Sequence, residues 1–519
     1  MKKKSLIPFF STGDVGGLAY SLAGNIVNYI IVITTLSGML GWPDEIVFGR
    51  VIPGMSIGLM ISGIYYAYMA HKLSRKEQRA DVTALPSGVS TPAMFIFLYG
   101  VIVPLNYALG DPELVWSAAV AACFIGGAIE FLGGIIGPFV KKALPRAALL
   151  GTVAGIGFIW MATQGIFDVF GDPLLGMPIL IIAIIGLFGG YMFPGKIPPL
   201  VIAIVGGIVY ALLLGRVQPD FSGIGFFVPN PVGTFQHLLN GFAVIIPYLA
   251  VVIPVEIYNF IETMDNVESA NAAGDNYSVR EAQFADGICT MISSLFGGVI
   301  PNTVWLGHPG LKKAKAGATY SWMGGVILGC AGMFGLFVFI NSVIPAAICS
   351  ITFVWCAVVI VSQAFKENPK KHFAAIVVAM IPAVGDYLFS QVTGAVGLAN
   401  IWTETVNGIN QYTPEVTNSL LAGGVMWNGV PAIHSGAIVT GLIWGSAVAF
   451  IIDKRLDKAG WIFVAAALLA MFGFINRAQL EFSPDSPYMW SYVILAGICF
   501  LLNLGKKKWF KSPDDFEYV

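Results

Sequence analysis

Six ionisable side chains of this 519-residue chain lie in otherwise apolar stretches: Glu130, Glu256, Glu262, Asp265, Asp386 and His308. A charge taken out of water is costly unless it is paired or protonated, so each asks for a partner or a task. A carboxyl group in such a place can accept N–H donors, meet a ligand or carry a proton, and an imidazole can shuttle one. Glu262, Asp265 and Asn266 stand at i, i+3 and i+4 and therefore share one helix face, a polar stripe fit for a ligand or a proton. Glu256, six residues before Glu262, falls on a different face. The plainer readings are that Glu262 ends a buried segment and is wetted, that Glu130 and Glu256 hydrogen-bond neighbouring helices, and that Asp386 lies near an interface. Hydrolase chemistry lacks its parts, because HExxH, GxSxG and zinc-ligand spacings are missing from the sequence. GYMFPGK at 190–196 has phosphate-loop spacing without the Ser or Thr that holds magnesium, and it is rejected. The six cysteines, Cys123, Cys289, Cys330, Cys349, Cys356 and Cys499, have no paired spacing and read as apolar fillers. The chain is thus read as no enzyme, with neither cofactor nor metal.

Two further segments are broken in matching ways. TALPSGVSTPAMF carries Pro86, Gly88 and Pro92, and VIPNTVWLGHPGL carries Pro301, Gly307, Pro309 and Gly310. Proline withdraws a backbone donor and interrupts helix, so unpaired N–H and C=O groups are freed there. In a membrane such backbone survives only where protein or a watery cavity surrounds it, and a matched pair of broken spans points to a transporter site.

The elements that must hold these residues follow from composition. Apolar residues make up 56% of the chain and charged ones 11%, far from the half-and-quarter balance of a soluble domain. With net charge −1 there is no basic field for nucleic acid. The expectation is an all-α polytopic membrane protein of about 16 spans, each needing about 20 apolar residues. Placing the N-terminus inside and alternating puts 25 of the 28 Lys and Arg residues on the cytoplasmic side, leaving Arg50, Arg216 and Arg477 outside. Both termini are then cytoplasmic, MKKKSLIPFF is a retained end, and the protein belongs in the cell (inner) membrane.

From Glu256 to Trp322 the sequence resembles the nucleobase–ascorbate (xanthine/uracil/vitamin C) permease family, in IETMDN, FADGICTMISSLFGG and PNTVWLGHPG, and PSGVSTP is similar to the family's third span. The resemblance implies an inverted repeat of seven plus seven spans, with a core and a gate domain. Short strands in spans 3 and 10 would meet at the substrate. The first repeat would cover 1–235 and the second 236–455, with two additional spans and a cytoplasmic tail over 456–519. Carried over, the substrate-binding residues are Glu262, Val89, Ser90, Thr91, Asn302, Thr303, Val304, Trp305 and His308. Many members have a second glutamate where this chain has Gly307 followed by His308, and the first span offers only Asn25 and Asn28.

The leading expectation is therefore a permease importing a purine-type nucleobase by proton symport with alternating access. Trp305 would stack on the base. Glu262, Asp265, His308, Glu256 and Glu130 are the proton-coupling candidates, with sodium as the other ion. A lipid bilayer surrounds it, and the resemblance implies a homodimer, which the residues themselves leave open. The alternatives are a sulfate- or bicarbonate-like anion transporter of the same fold, and a non-transporting scaffold or receptor.

Overall fold

A computed structural model describes residues 5–191, 193, 199–221, 224–398, 404–406, 409–411, 414–477 and 480–505. The terminal lysines 2–4 and 506–508, Lys511, Lys196 and most of GYMFPGK lie outside the described residues. Named in chain order, the elements used below are α1 (Asp14–Ile33), α2 (Ile52–Glu77), β1 (Ser87–Val89), α3 (Thr91–Ile96), α4 (Val103–Leu109) and α5 (Pro112–Ala143). Then come α6 (Arg146–Ile156), α7 (Leu249–Ala272), α8 (Val279–Leu295), β2 (Asn302–Val304), α9 (His308–Lys313) and α10 (Thr319–Met333). The last are α11 (Ala346–Lys366), α12 (Phe373–Leu398), α13 (Val430–His434), α14 (Ala437–Ile452), α15 (Leu456–Met471) and α16 (Pro487–Gly505).

Among the described residues, six helical runs are long and apolar enough to cross a membrane: Asp14–Gly38, Asp44–Glu77, Pro112–Gly137, Arg146–Gly171, Lys370–Thr393 and Pro487–Gly505. Shorter apolar helices include Pro173–Gly186, Ile202–Leu213, Ala357–Lys366 and Ala437–Ile452. Large apolar side chains stand on the outer surface, among them Phe139, Phe167, Leu213, Val232, Trp461 and Leu504. Water would reject that surface and lipid accepts it, so the chain is an integral membrane protein.

One bundle is built on α1, α2, α5, α7, α8 and α10. Small residues bring its helices together. At the α5–α8 crossing, a Cβ on Gly127 would lie 2.7 Å from the Gly287 carbonyl, and one on Gly287 would lie 2.6 Å from that of Gly127. Phe131 and Phe284 stack beside this contact at 4.5 Å. A second bundle packs α6, α11, α12 and α14 around Ala147, Ala154, Ala364, Ala375, Ile376 and Ala449. Helices α15 and α16 join α14 through Ile443, Ala447, Phe463, Ala470 and Tyr492.

The two proline-broken segments are where regular helix stops. β1 and β2 pair antiparallel inside the first bundle, with Ser87 opposite Val304, Gly88 opposite Thr303 and Val89 opposite Asn302. After β1, Ser90 is extended and the chain turns helical from Thr91, with Pro92 in the first turn where its missing N–H costs nothing. The helix continues through a π-helical stretch, Phe97–Ile102, into α4. After β2, Gly307 at φ +119° starts α9, which lasts six residues. The stretch 301–319 is therefore a strand, a loop and a short helix in place of one continuous helix. Freed backbone groups find partners within protein: Ser90 N–H donates to Pro301 O at 2.9 Å and Trp305 N–H to Pro86 O at 2.8 Å.

Candidate functional site: the strand crossing and the polar face of α7

The crossing of β1 and β2 is clamped by side chains from α1. Asn25 Oδ1 accepts the Val89 N–H at 3.1 Å, and Asn28 Nδ2 donates to Val89 O at 3.2 Å. Thr91 Oγ1 donates to Asn28 Oδ1 at 3.1 Å. Trp305 closes the clamp, its indole N–H donating to Val89 O at 3.0 Å and its ring edge-on to Tyr20. The ring lies between two glycines. A Cβ on Gly24 would sit 2.5 Å from it, and one on Gly88 would sit 2.2 Å from it and 2.6 Å from Asn25 Oδ1. Trp305 is thus wedged into the crossing as a packing element.

On one side of the crossing, Ser90 Oγ donates to Glu262 Oε2 at 3.4 Å. Ser90 immediately precedes α3, and its side chain does not cap the helix. The first-turn N–H groups of the helical run 91–109 and the positive end of its dipole thus stand beside a hydroxyl and a carboxyl group. Phe95 of α3 approaches Trp160, which sits in the π-helical stretch Gly157–Ala162 of the second bundle, with ring centroids 6.1 Å apart. Irregular turns on both sides of this contact are of the kind that recurs at functional sites.

On the other side of β2, α7 presents Glu256, Asn259, Thr263 and Asn266. Asn259 Nδ2 donates to Asn302 O at 3.2 Å, and Asn266 Nδ2 to Val304 O at 2.7 Å. Thr263 Oγ1 and Thr303 Oγ1 are 2.9 Å apart. Asp286 of α8 accepts the Val304 N–H at 2.9 Å and the Tyr66 hydroxyl of α2. Glu130 of α5 lies 3.0 Å from Thr263 Oγ1 and 3.3 Å from Asn259 Nδ2. All six of Glu130, Glu256, Asn259, Thr263, Asp286 and Thr303 are fully buried.

His308 is held elsewhere. Its Nε2 lies 3.1 Å from Asp275 Oδ2 and 3.1 Å from Thr83 O, and its ring is edge-on to Tyr277. Asp275, in the turn between α7 and α8, also receives Arg79 and Lys312 at 2.6 Å each and the Thr83 N–H at 3.0 Å. Burial by itself would raise this carboxyl, but the hydrogen bonds from His308, Lys312, the Thr83 amide and Arg79 outweigh it and hold it at about 2. The network ties the 79–83 segment, the α7–α8 turn and α9 into one corner.

Of the residues named from sequence, Val89, Ser90, Thr91 and Trp305 meet at the crossing with Glu262. The Asn302 amide and carbonyl, the Thr303 hydroxyl and the Val304 amide and carbonyl turn to α7 and α8. Glu130 and Glu256 join that second cluster, and His308 belongs to the Asp275 corner. Asp265 is half-buried on α7. Asp386 accepts the Trp160 indole N–H at 3.0 Å and lies 2.6 Å from His434 Nδ1, joining α12 to α13 and to the second bundle's π-helical stretch. Sequence reasoning assigned no role to Asn259, Thr263, Asp286 or Asp275. Positions 256, 259, 263 and 266 recur at helical spacing as one polar stripe in an apolar segment, and that signal could have found Asn259 and Thr263. Asp286 stood in the quoted FADG segment.

No protein-family model matches the sequence, and no curated protein is similar to it. Among solved structures, the transmembrane domain of BicA, a cyanobacterium bicarbonate transporter, superposes with TM-score 0.50 at 17% identity, covering 73% of this chain and 97% of that one. SLC26A9 aligns at TM-score 0.47 and 11% identity over 75% of this chain and 64% of that chain. Murine Slc26a9, an anion transporter in the inward-facing state, aligns at 0.43 and 12% over 75% and 68%. The BicA likeness is one of fold. It corrects the resemblance to nucleobase–ascorbate permeases, whose short signatures PSGVSTP, FADG and PNT fall on the crossing and its supports. They specify a backbone arrangement, and a backbone arrangement does not name a solute. The second glutamate of those permeases also has no place here. Gly307 has φ +119°, and a Cβ on it would meet the Tyr20 hydroxyl at 2.8 Å.

Proposed function

We propose that this protein is a secondary permease for a small oxyanion of the bicarbonate or sulfate type, bound where β1 passes into the helical run 91–109. The observation that carries the reading is the helix start at Thr91, uncapped by its own Ser90 side chain and set beside the strand crossing within the bundle. First-turn amides and the dipole favour an anion, and the Ser90 and Thr91 hydroxyls can turn toward one. The transmembrane domain of a bicarbonate transporter is a precedent for this fold carrying such an anion. Alternating access would come from the first bundle moving against the second, across contacts such as Phe95 with Trp160.

The proposed topology has sixteen crossings, both termini cytoplasmic, inverted repeats over 1–235 and 236–455, and an appended pair over 456–519. The lysine and arginine asymmetry and the antiparallel meeting of β1 with β2 support it.

The test is uptake of labelled bicarbonate and sulfate by proteoliposomes, beside thermal stabilisation of the purified protein by a panel of anions and neutral solutes. Saturable oxyanion flux with matching stabilisation is the expected result. Stabilisation by no anion, together with flux no greater than in empty liposomes, overturns the proposal.

A further inference from the structure

The face of β2 opposite Ser90 rests on carboxyl groups that the anion site does not use. Glu130, Glu256 and Asp286 are fully buried, and the ion pairs among the described residues all lie elsewhere. Their hydrogen-bond partners among the described residues are hydroxyls and amides.

Counting hydrogens at Thr263 decides their state. Its Oγ1 lies 3.0 Å from Glu130 Oε1, 3.0 Å from Asp286 Oδ2 and 2.9 Å from Thr303 Oγ1. A hydroxyl has one hydrogen to give and two lone pairs to offer. With both carboxyl groups ionised, that hydrogen would serve one of them and leave the other facing oxygen lone pairs at 3.0 Å. Asp286 is the better-supplied carboxylate, since the Val304 amide and the Tyr66 hydroxyl both donate to it. Among the described residues Glu130 has, besides Thr263, only the Asn259 amide at 3.3 Å, and that same Nδ2 also lies 3.2 Å from Asn302 O and 3.5 Å from Glu256 Oε2. A second observation shows the same shortage of donors. Glu256 Oε1 and Asn259 Oδ1 are buried and, among the described residues, face no donor.

We propose that Glu130 holds a proton in this conformation and shares it with Asp286 through the Thr263 hydroxyl, making this junction of α5, α7 and α8 the coupling-proton site. Glu130 Oε1–H donates to Thr263 Oγ1, Thr303 donates to the same oxygen, and Thr263 donates to Asp286 Oδ2, so each hydroxyl atom is used once. Passing the Glu130 hydrogen to Thr263 while the Thr263 hydrogen passes to Asp286 moves one proton between the carboxyl groups and leaves the hydroxyl unchanged. The other titratable groups around the junction are Glu256 and Glu262 on α7, Tyr66 on α2, Cys123 on α5 and Cys289 on α8. The array also grips all three residues of β2, through Asn302 O, Thr303 Oγ1 and the Val304 amide. Removing the proton sets like charges beside that strand and loosens the crossing where the anion binds, which links the two sites.

The inference rests on the permease reading for its meaning, and its test separates the two. In proteoliposomes, Glu130→Gln should retain anion exchange at equal pH within about twofold while accumulation driven by an acid exterior falls about tenfold or more. Intact pH-driven accumulation in Glu130→Gln overturns the proposal, as does wild-type accumulation that follows a sodium gradient and ignores pH. If Glu130→Gln does not fold, Thr263→Ser should keep coupling and Thr263→Val should lose it, and equal behaviour of the two overturns it. Infrared spectra need no flux at all. The wild-type protein at neutral pH should show the carbonyl stretch of a protonated carboxyl group that shifts in Glu130→Asp. A wild-type spectrum without that band sinks the inference even if anions are transported, and a band without any anion flux sinks only the permease reading.

Discussion

When ionised, Glu262 discriminates between solutes by its charge. Its Oε2 accepts from Ser90 Oγ at 3.4 Å, beside the helix start proposed to hold the anion. An ionised carboxylate about 6 Å from an anion opposes it by up to about 3 kcal/mol at an effective dielectric constant of about 20. Glu262→Gln is therefore expected to tighten oxyanion binding by up to about tenfold, about 1.4 kcal/mol, as read by calorimetry or ligand-dependent melting. A ligand that needs Glu262 as an acceptor would instead be lost. Asp275 gives the second residue-scale prediction. Held at about 2 against the usual value of about 3.9, it adds stability that is complete above about pH 4 and fades as pH falls through about 2. Asp275→Asn should cost about 2 kcal/mol, less than for a fully buried pair because Arg79 and Lys312 keep some solvent contact. Melts recorded against pH should show an acid-dependent loss between about pH 4 and 2 in the parent that is smaller in the variant.

At the scale of elements, the strand crossing depends on glycine where an indole ring must pass. Gly88→Ala places a methyl group 2.2 Å from the Trp305 ring, and neither β1 nor α1 can withdraw without breaking the Asn25 bond. We expect a loss of about 1–3 kcal/mol and transport reduced to background, measured by melting and proteoliposome uptake. Gly287→Val should separate α5 from α8, because the added side chain meets the Gly127 carbonyl and the Phe131 backbone. Melting should fall by a similar amount. The broken elements themselves were legible in Pro86, Gly88, Pro92, Pro301 and Pro309, since proline stops helix wherever it falls. That the helix after β2 lasts only six residues was not legible. Hydropathy averages over a window and cannot distinguish a buried strand in protein from a span in lipid.

Across the whole molecule, α15 and α16 touch the rest chiefly through α14, in a cluster containing Ile443, Phe463, Ala470 and Tyr492. A chain ending after Asp453 should melt lower yet retain anion-dependent stabilisation, because neither the crossing nor the α7 face uses those helices. Loss of stabilisation in a folded truncation would show that they support the site. Composition by itself determined that this chain enters a membrane, because 11% charged residues cannot cover a soluble surface of 519 residues. Spacing determined which segments break and that Glu262, Asp265 and Asn266 share a face, because both properties are local. Only the tertiary structure decided that His308 belongs with Asp275, that Trp305 is a wedge, and that Glu130 meets Asp286 across Thr263. Asp275 lies 33 residues from His308, Asp286 lies 156 from Glu130, and Val89 lies 216 from Trp305. Contact at such separations is settled by helix packing, which no local pattern encodes.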